Sequence, residues 1–137
     1  MNRNDLQRLS RIRLKEAKAL LRSENFSGAY YLAGYSLECA LKSCIAKSVR
    51  KYDFPDKPLA VQSYTHDLQT LLKITELDSA LSAGFAADDM LAANWSTAKS
   101  WTEAARYEIH TRSTAQAMID AVGNPRHGVL PWIKRHW

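Results

Sequence analysis

The sequence predicts an all-α fold, an antiparallel four- to five-helix up-and-down bundle, from three observations. Apolar residues recur at three- and four-residue intervals through most of the chain. No stretch shows the period-two alternation between turn signals that marks a strand. The 137 residues, 46% apolar and 24% charged, suffice for one hydrophobic core and not for two ordinary ones, so 1–137 is read as a single domain.

Asn4 and Gln7 have the spacing of a capping box, and Leu6, Leu9, Ile12, Ala17, Leu20 and Leu21 follow at helical spacing, which predicts a first helix from Asp5 to Arg22. After the cap region Ser23-Glu24-Asn25, one stripe holds Phe26, Tyr30, Ala33, Leu37, Leu41 and Cys44, widened by Ala29, Ala40 and Ile45. This second helix is expected to end near Arg50. The period is lost from Lys51 to Tyr64, where Pro55 and Pro58 remove helix donors, so a loop is expected there. Thr65 can cap a short helix carrying Leu68, Leu71 and Leu72, and a further segment around Leu77 and Leu81 is expected to stop at Gly84. A second long helix is predicted from near Ala87, with Leu91, Trp95, Ala98, Trp101 and Ala105 facing inward, up to a break between His110 and Arg112. Ser113-Thr114-Ala115-Gln116 reads as the capping box of the next helix, which holds Ala115, Met118, Ile119 and Val122 and ends at Gly123-Asn124-Pro125. Pro131 suits the first turn of a last short helix bearing Trp132 and Ile133.

Several function classes drop out. No apolar run approaches the ~20 residues needed to cross a bilayer. Met1-Asn2-Arg3-Asn4-Asp5-Leu6 lacks the apolar core of a secretory signal, so the expected compartment is the cytoplasm. Cys39 and Cys44 lie on one helix with roughly 7.5 Å of rise between them, beyond disulfide reach, and are read as reduced packing residues. CxxC, HExxH and Glu-x-x-His patterns are missing, as are GxGxxG and GxxxxGKS/T, so neither a metal centre nor a cofactor is expected.

Charge is unevenly placed. Arg3, Arg8, Arg11, Arg13, Lys15, Lys18 and Arg22 are offset only by Asp5 and Glu16, so this stretch alone carries the net charge of +5 of the whole chain. Such a helix is either a solvated face or a phosphate-tracking surface whose contacts release counterions. Composition leaves both open.

Glu38 lies beside the apolar stripe of the second helix, so its carboxylate needs a partner. Lys42, one turn on, is the nearest, and an Arg from another helix the stronger, because its fork pairs bidentately. A structural ion pair that fixes helix register is the alternative to a binding role. Gly34 in mid-helix points to a close approach by another element. Arg106 and His110, four apart and so one helical turn apart, would set a permanent cation beside a group that titrates near neutrality. That pairing suits RNA phosphodiester cleavage without metal: His110 moves the 2′-hydroxyl or leaving-group proton, and Arg106 stabilises the phosphorane-like transition state. Arg and His at this spacing also arise by chance in many helices. Tyr31 and Tyr107 are the aromatics expected at the surface, as stacking faces for bases, whereas Tyr30, Tyr35, Trp95 and Trp101 are read as core. His66 is read as a first-turn helix residue, and His127 and His136 as members of a basic tail with no identifiable partner.

Taken in order, Gly28-Ala29-Tyr30-Tyr31-Leu32-Ala33-Gly34-Tyr35, Glu38-Cys39-Ala40-Leu41-Lys42, His66-Asp67-Leu68 with Leu71-Leu72, Asn94-Trp95, Arg106-Tyr107 and Gly128-Val129-Leu130-Pro131-Trp132-Ile133 resemble the HEPN-domain proteins, the "higher eukaryotes and prokaryotes nucleotide-binding" helical bundles. The likeness covers nearly the full chain and is most specific from Gly28 to Lys42. It implies a four- or five-helix bundle that pairs into a homodimer, and it implies RNA-linked work. Many members are metal-independent endoribonucleases acting as toxins or defence factors, often beside a small nucleotidyltransferase antitoxin. The family signature is Arg, four to six residues, then His near a helix end, repeated across the dimer interface. Arg106-Tyr107-Glu108-Ile109-His110 has three intervening residues, and Tyr107 stands where a polar residue usually follows the Arg, so the likeness bears on the fold more than on nuclease activity. Two roles remain for Arg106: catalysis with His110, or pairing with Glu38 in a non-catalytic binding module whose site includes Lys42, Tyr31 and Tyr107. Service as a partner subunit of a nucleotidyltransferase is the third reading.

Overall fold

The computed structural model describes residues 1–51 and 57–137. Its spine is an antiparallel hairpin of α1 (Arg3–Arg22) and α2 (Phe26–Lys51). Asn2 accepts the Asp5 N–H at 3.0 Å while Asp5 accepts the Asn2 N–H at 3.1 Å. This reciprocal box lies two residues upstream of the expected Asn4–Gln7 box, and it lets α1 begin at Arg3 rather than Asp5. At the other end, the Asn25 N–H donates to the Leu20 carbonyl at 2.8 Å and the Glu24 N–H to that of Leu21 at 3.1 Å. This is a Schellman turn, and it holds Glu24 at a left-handed φ of 65°. Midway along the pair, the fully buried Ser10 and Ser36 hydroxyls each donate to the other residue's carbonyl at 2.8 Å, which ties the two backbones closely together.

The predicted stripe of α2 is its inner face: Ala29, Tyr30, Ala33, Leu37, Ala40, Leu41, Cys44 and Ile45 are buried. At Gly34 the Trp101 indole occupies the space where a Cβ would project, which is the close approach that a mid-helix glycine suggested.

The expected loop over 51–64 is in part a helix, α3 (Lys57–Gln62), with Pro58 in its first turn, where the missing N–H breaks no helical hydrogen bond. Residues 52–56, Pro55 included, lie outside the described residues. α4 (Leu68–Ile74) is capped by Asp67, which accepts the Thr70 N–H at 2.7 Å; Thr65 instead accepts the Asp67 N–H at 3.2 Å. α5 (Asp78–Ala87) runs through Gly84, where a stop was expected; Gly84 keeps a helical backbone there, with Leu91 and Trp132 packed beside it.

The second long helix does not form. α6 (Asp89–Ala98), capped by Asp88 through the Leu91 N–H at 3.0 Å, ends at Ala98. The chain turns through Lys99 and Ser100, enters a short 3-10 turn (Glu103–Tyr107), and is extended at Glu108 before α7 (Arg112–Gly123). Trp101 and Ala105 are buried, as the period requires, but on a different element from Leu91 and Trp95. Seating the whole indole against α2 is worth on the order of 4 kcal/mol by area. Continuing the helix gains less than about 1 kcal/mol per residue. Packing therefore overrides propensity here.

Thr111 caps α7 by accepting the Thr114 N–H at 3.3 Å, in place of the expected Ser113. Ala115, Met118, Ile119 and Val122 face the core from α7. α8 (Val129–Lys134) holds Pro131 in its first turn and closes the core with Val129, Leu130, Trp132 and Ile133. The all-α bundle therefore stands, with eight α-helices and no strand among the described residues. The helix count exceeds the expected four or five because the short α4, α5 and α8 are counted beside the longer helices and the apparent loop contributes α3; the break after Ala98 adds a 3-10 turn and no α-helix. Among the described residues no helix is long and apolar enough to cross a membrane. Cys39 and Cys44 are free and buried, and burial pushes both thiols up to about 11.

Candidate functional site

Tyr31, Tyr35, Glu38 and Lys42 succeed one another at steps of four, three and four, so α2 sets them in one line along its flank. The fold lays two short segments across this line: the start of α4, with His66 just ahead of it, and the turn over 102–107. A chain of polar contacts results. Glu38 is 3% exposed; its Oε1 accepts from Lys42 Nζ at 2.9 Å and lies 2.8 Å from His66 Nδ1. Its Oε2 has no partner among the described residues. The outer ring nitrogen of His66, Nε2, stands 3.2 Å from Glu103 Oε2. Nδ1 is thus fixed by Glu38, while Nε2 faces the Glu103 carboxylate without hydrogen-bond alignment. The ring borders a cleft of about 200 Å³ lined by Thr65, His66, Asp67, Thr102 and Glu103.

Arg106 is exposed and lies over the Tyr107 ring, 5.0 Å from its centre. Tyr107 chiefly, then Tyr31 and Glu103, hold the guanidinium above its ordinary range. Tyr107 is 80% exposed. Tyr31 is half-buried, its ring centre 6.0 Å from that of Tyr35 and 5.9 Å from that of Trp101. Arg106, Glu38, Lys42, Tyr31 and Tyr107 thus border one flank of α2.

His110 is seated differently. Its imidazole, 13% exposed, stacks on Tyr30 with ring centres 3.8 Å apart and planes 17° from parallel. Its backbone N–H donates to Ser27 Oγ at 2.9 Å. Nε2 comes within 3.0 Å of Glu108 Oε2 but out of hydrogen-bond alignment, so the contact is one of proximity rather than a made bond. Burial pushes the Tyr30 phenol up.

Two expectations are corrected. Arg106 and His110 are not one turn apart on a helix, because the 3-10 turn ends at Tyr107 and Glu108 is extended at φ −101° and ψ 156°. Nor is Arg106 the buried partner of Glu38. The helix that would have carried the guanidinium inward stops at Ala98, and Lys42 and His66 take the carboxylate instead. His66 and Glu103 are the members of the site that sequence reasoning missed. Glu38 and His66 are 28 positions apart, so no local spacing reveals the pair. The available signal was the need of a buried carboxylate for a donor. His127 also finds a partner, Asp88 Oδ2 at 2.8 Å, and that hydrogen bond holds the Asp88 carboxyl below its usual range. Asn94 donates to the His127 carbonyl at 2.8 Å, fastening the turn before α8 to α6.

Among the described residues no group of three His, Cys, Asp or Glu side chains could hold a metal ion. The flank offers an imidazole fixed at one nitrogen, an exposed guanidinium, and two phenol faces. Comparison with family models, with curated proteins and with solved structures finds no match.

Proposed function

We propose that the protein is a HEPN-like bundle that engages RNA or a nucleotide, works as a homodimer, and uses the Arg106–Tyr107–Tyr31 rim to contact phosphate and base. The observation that supports this best is Arg106, an exposed guanidinium bonded to no carboxylate among the described residues and lying over an exposed tyrosine. A guanidinium matches phosphate bidentately and stacks on aromatic faces. Tyrosine faces accept any base. Titration of a labelled RNA strand and of free nucleotides tests the reading: Arg106→Ala and Tyr107→Ala each weaken binding about tenfold or more, with the melting temperature unchanged. Wild-type affinity in both variants would sink it. Light scattering tests the homodimer, which must weigh twice the 15.5 kDa of the chain.

A second reading, metal-independent RNA cleavage of the toxin or defence kind, is favoured by one feature. A buried carboxylate orients an imidazole whose other nitrogen borders a cleft beside the exposed Glu103, an arrangement suited to general acid–base work. That imidazole is His66, not His110. RNA cleavage in chelator that disappears in His66→Ala and survives in His110→Ala supports the reading. A wild-type protein that cleaves no RNA removes it, leaving a binding module or a partner subunit of a nucleotidyltransferase.

A further inference from the structure

We propose that the exposed side of α1, continued by α8, is a track for the sugar–phosphate backbone of a nucleic-acid strand. Arg8, Arg11, Lys15, Lys18 and Arg22 are all exposed and recur at steps of three and four residues. They therefore project from one face of the helix over roughly 21 Å. None forms an ion pair with a described residue. Of the acids of α1, Glu16 is paired with Arg13, and Asp5, one turn before Arg8, is engaged in the cap. Arg13 points to the other side of α1, toward Tyr35 and Cys39, so the track is separate from the flank that carries Glu38.

The carboxy-terminal residues widen the track. The Trp137 ring centre lies 4.8 Å from the Arg11 guanidinium and 5.8 Å from Lys134 Nζ, and the Trp137 carbonyl accepts from Arg3 at 2.8 Å. Partial burial, then the fields of Arg11 and Lys18, hold the Lys134 ammonium below its ordinary range. Cations are thus crowded together with no carboxylate paired to them among the described residues, a repulsion that a polyanion would relieve.

The shape of the surface selects the partner. The opposite face of α1, with Ser10, Leu14 and Ala17, is packed into the bundle, and its other large apolar side chains are half-buried, so the helix offers no fully exposed apolar face to a lipid layer. The cations lie in a line, not around a pocket, which does not suit a lone nucleotide. Their repeat of roughly 5 Å along the helix axis meets a strand whose phosphates also recur every few ångströms.

The inference rests on the RNA-engaging reading above and assigns that polymer a second contact surface, independent of Arg106. Fluorescence anisotropy with labelled poly(U) and poly(dT) of equal length, across a salt series, tests it. Five to six phosphate contacts on a single strand give a slope of log affinity against log salt of about −4. Removing two of them in a Lys15→Gln/Lys18→Gln protein makes the slope shallower by about 1.4 and weakens binding about tenfold at physiological salt. Its melting temperature should not fall. Comparing the two polymers tells whether RNA, DNA or both supply the backbone. A wild-type slope near zero, or a slope unchanged in the double variant, overturns the track. If Arg106→Ala alone abolishes polymer binding while the double variant binds normally, the track fails and the rim stands; the reverse pattern retains the track and removes the rim.

Discussion

The α1–α2 hairpin and the stretch over 88–111 are built from the same ingredient, apolar residues at helical spacing, and they fold differently. In the hairpin, helices of 20 and 26 residues run unbroken, because each buried position meets a neighbour along the whole length of the pair. After Asp88 the helix lasts 10 residues, and the next inward position is the Trp101 indole, which seats over Gly34. Burying that one ring required the chain to leave the helix. Apolar period reports which residues face inward. It does not report whether the backbone between them is continuous.

The sharpest way to break this contrast is at its contact point. In Gly34→Ala the new methyl would fall within the indole of Trp101, a rigid ring with no room to give way. A loss of about 3 kcal/mol or more in urea unfolding is expected. A Gly34→Ala protein as stable as the parent would show that the notch does not set the turn. Next in size is Glu38→Ala, which leaves Lys42 and His66 without their shared carboxylate. Both are partly exposed, so the expected loss is about 2 kcal/mol, below that of a fully buried pair. The test is a double cycle with His66→Ala, whose coupling should be clearly non-zero.

The hairpin can be improved where the other region cannot. Glu24 stands at a φ of 65°, which glycine adopts without steric cost. Glu24→Gly should raise stability by about 0.5–1 kcal/mol. Its ion pair with Arg112 at 2.7 Å is exposed at both ends and contributes little. A lower denaturation midpoint in this variant would mean that the Schellman turn is not where strain resides. The smallest effect is the response to acid in the broken region. Asp88 is held below its ordinary value of 3.8 by His127, so it ionises more readily folded than unfolded. Its contribution is complete above 3.8 and is withdrawn as pH falls through the lower folded value. Asp88→Asn should therefore flatten the acid limb of a stability–pH curve.

Much of this could be read from residues alone. The hairpin, its inner stripe and the inward set Leu91, Trp95, Ala98, Trp101 and Ala105 all follow from period, since burial selects residue types regardless of what lies between. Caps were legible only to within a few residues. Asn2 with Asp5, and Asn4 with Gln7, satisfy the same pattern, and which one forms depends on where the helix axis begins. The flank around Glu38 was half legible. Its need for a partner was written in its position, but the partner came from a segment remote in sequence, and the choice of His66 over an arginine depended on where α6 stopped. His110 shows the converse: a residue type suited to catalysis, taken up by stacking on Tyr30.

The Trp101–Gly34 contact also makes the neighbouring rim a unit. Glu103, Arg106 and Tyr107 hang from α2 by the Trp101 plug seated at Gly34, with Ala105, equally buried, fastening the turn itself. While the plug is seated, the three groups keep a fixed relation to one another. Once it is drawn, all three disperse together, so the emission of that indole, shifted as water reaches it and resolved from Trp95, Trp132 and Trp137 by difference against a Trp101→Phe protein, gives an optical record of whether the rim is assembled.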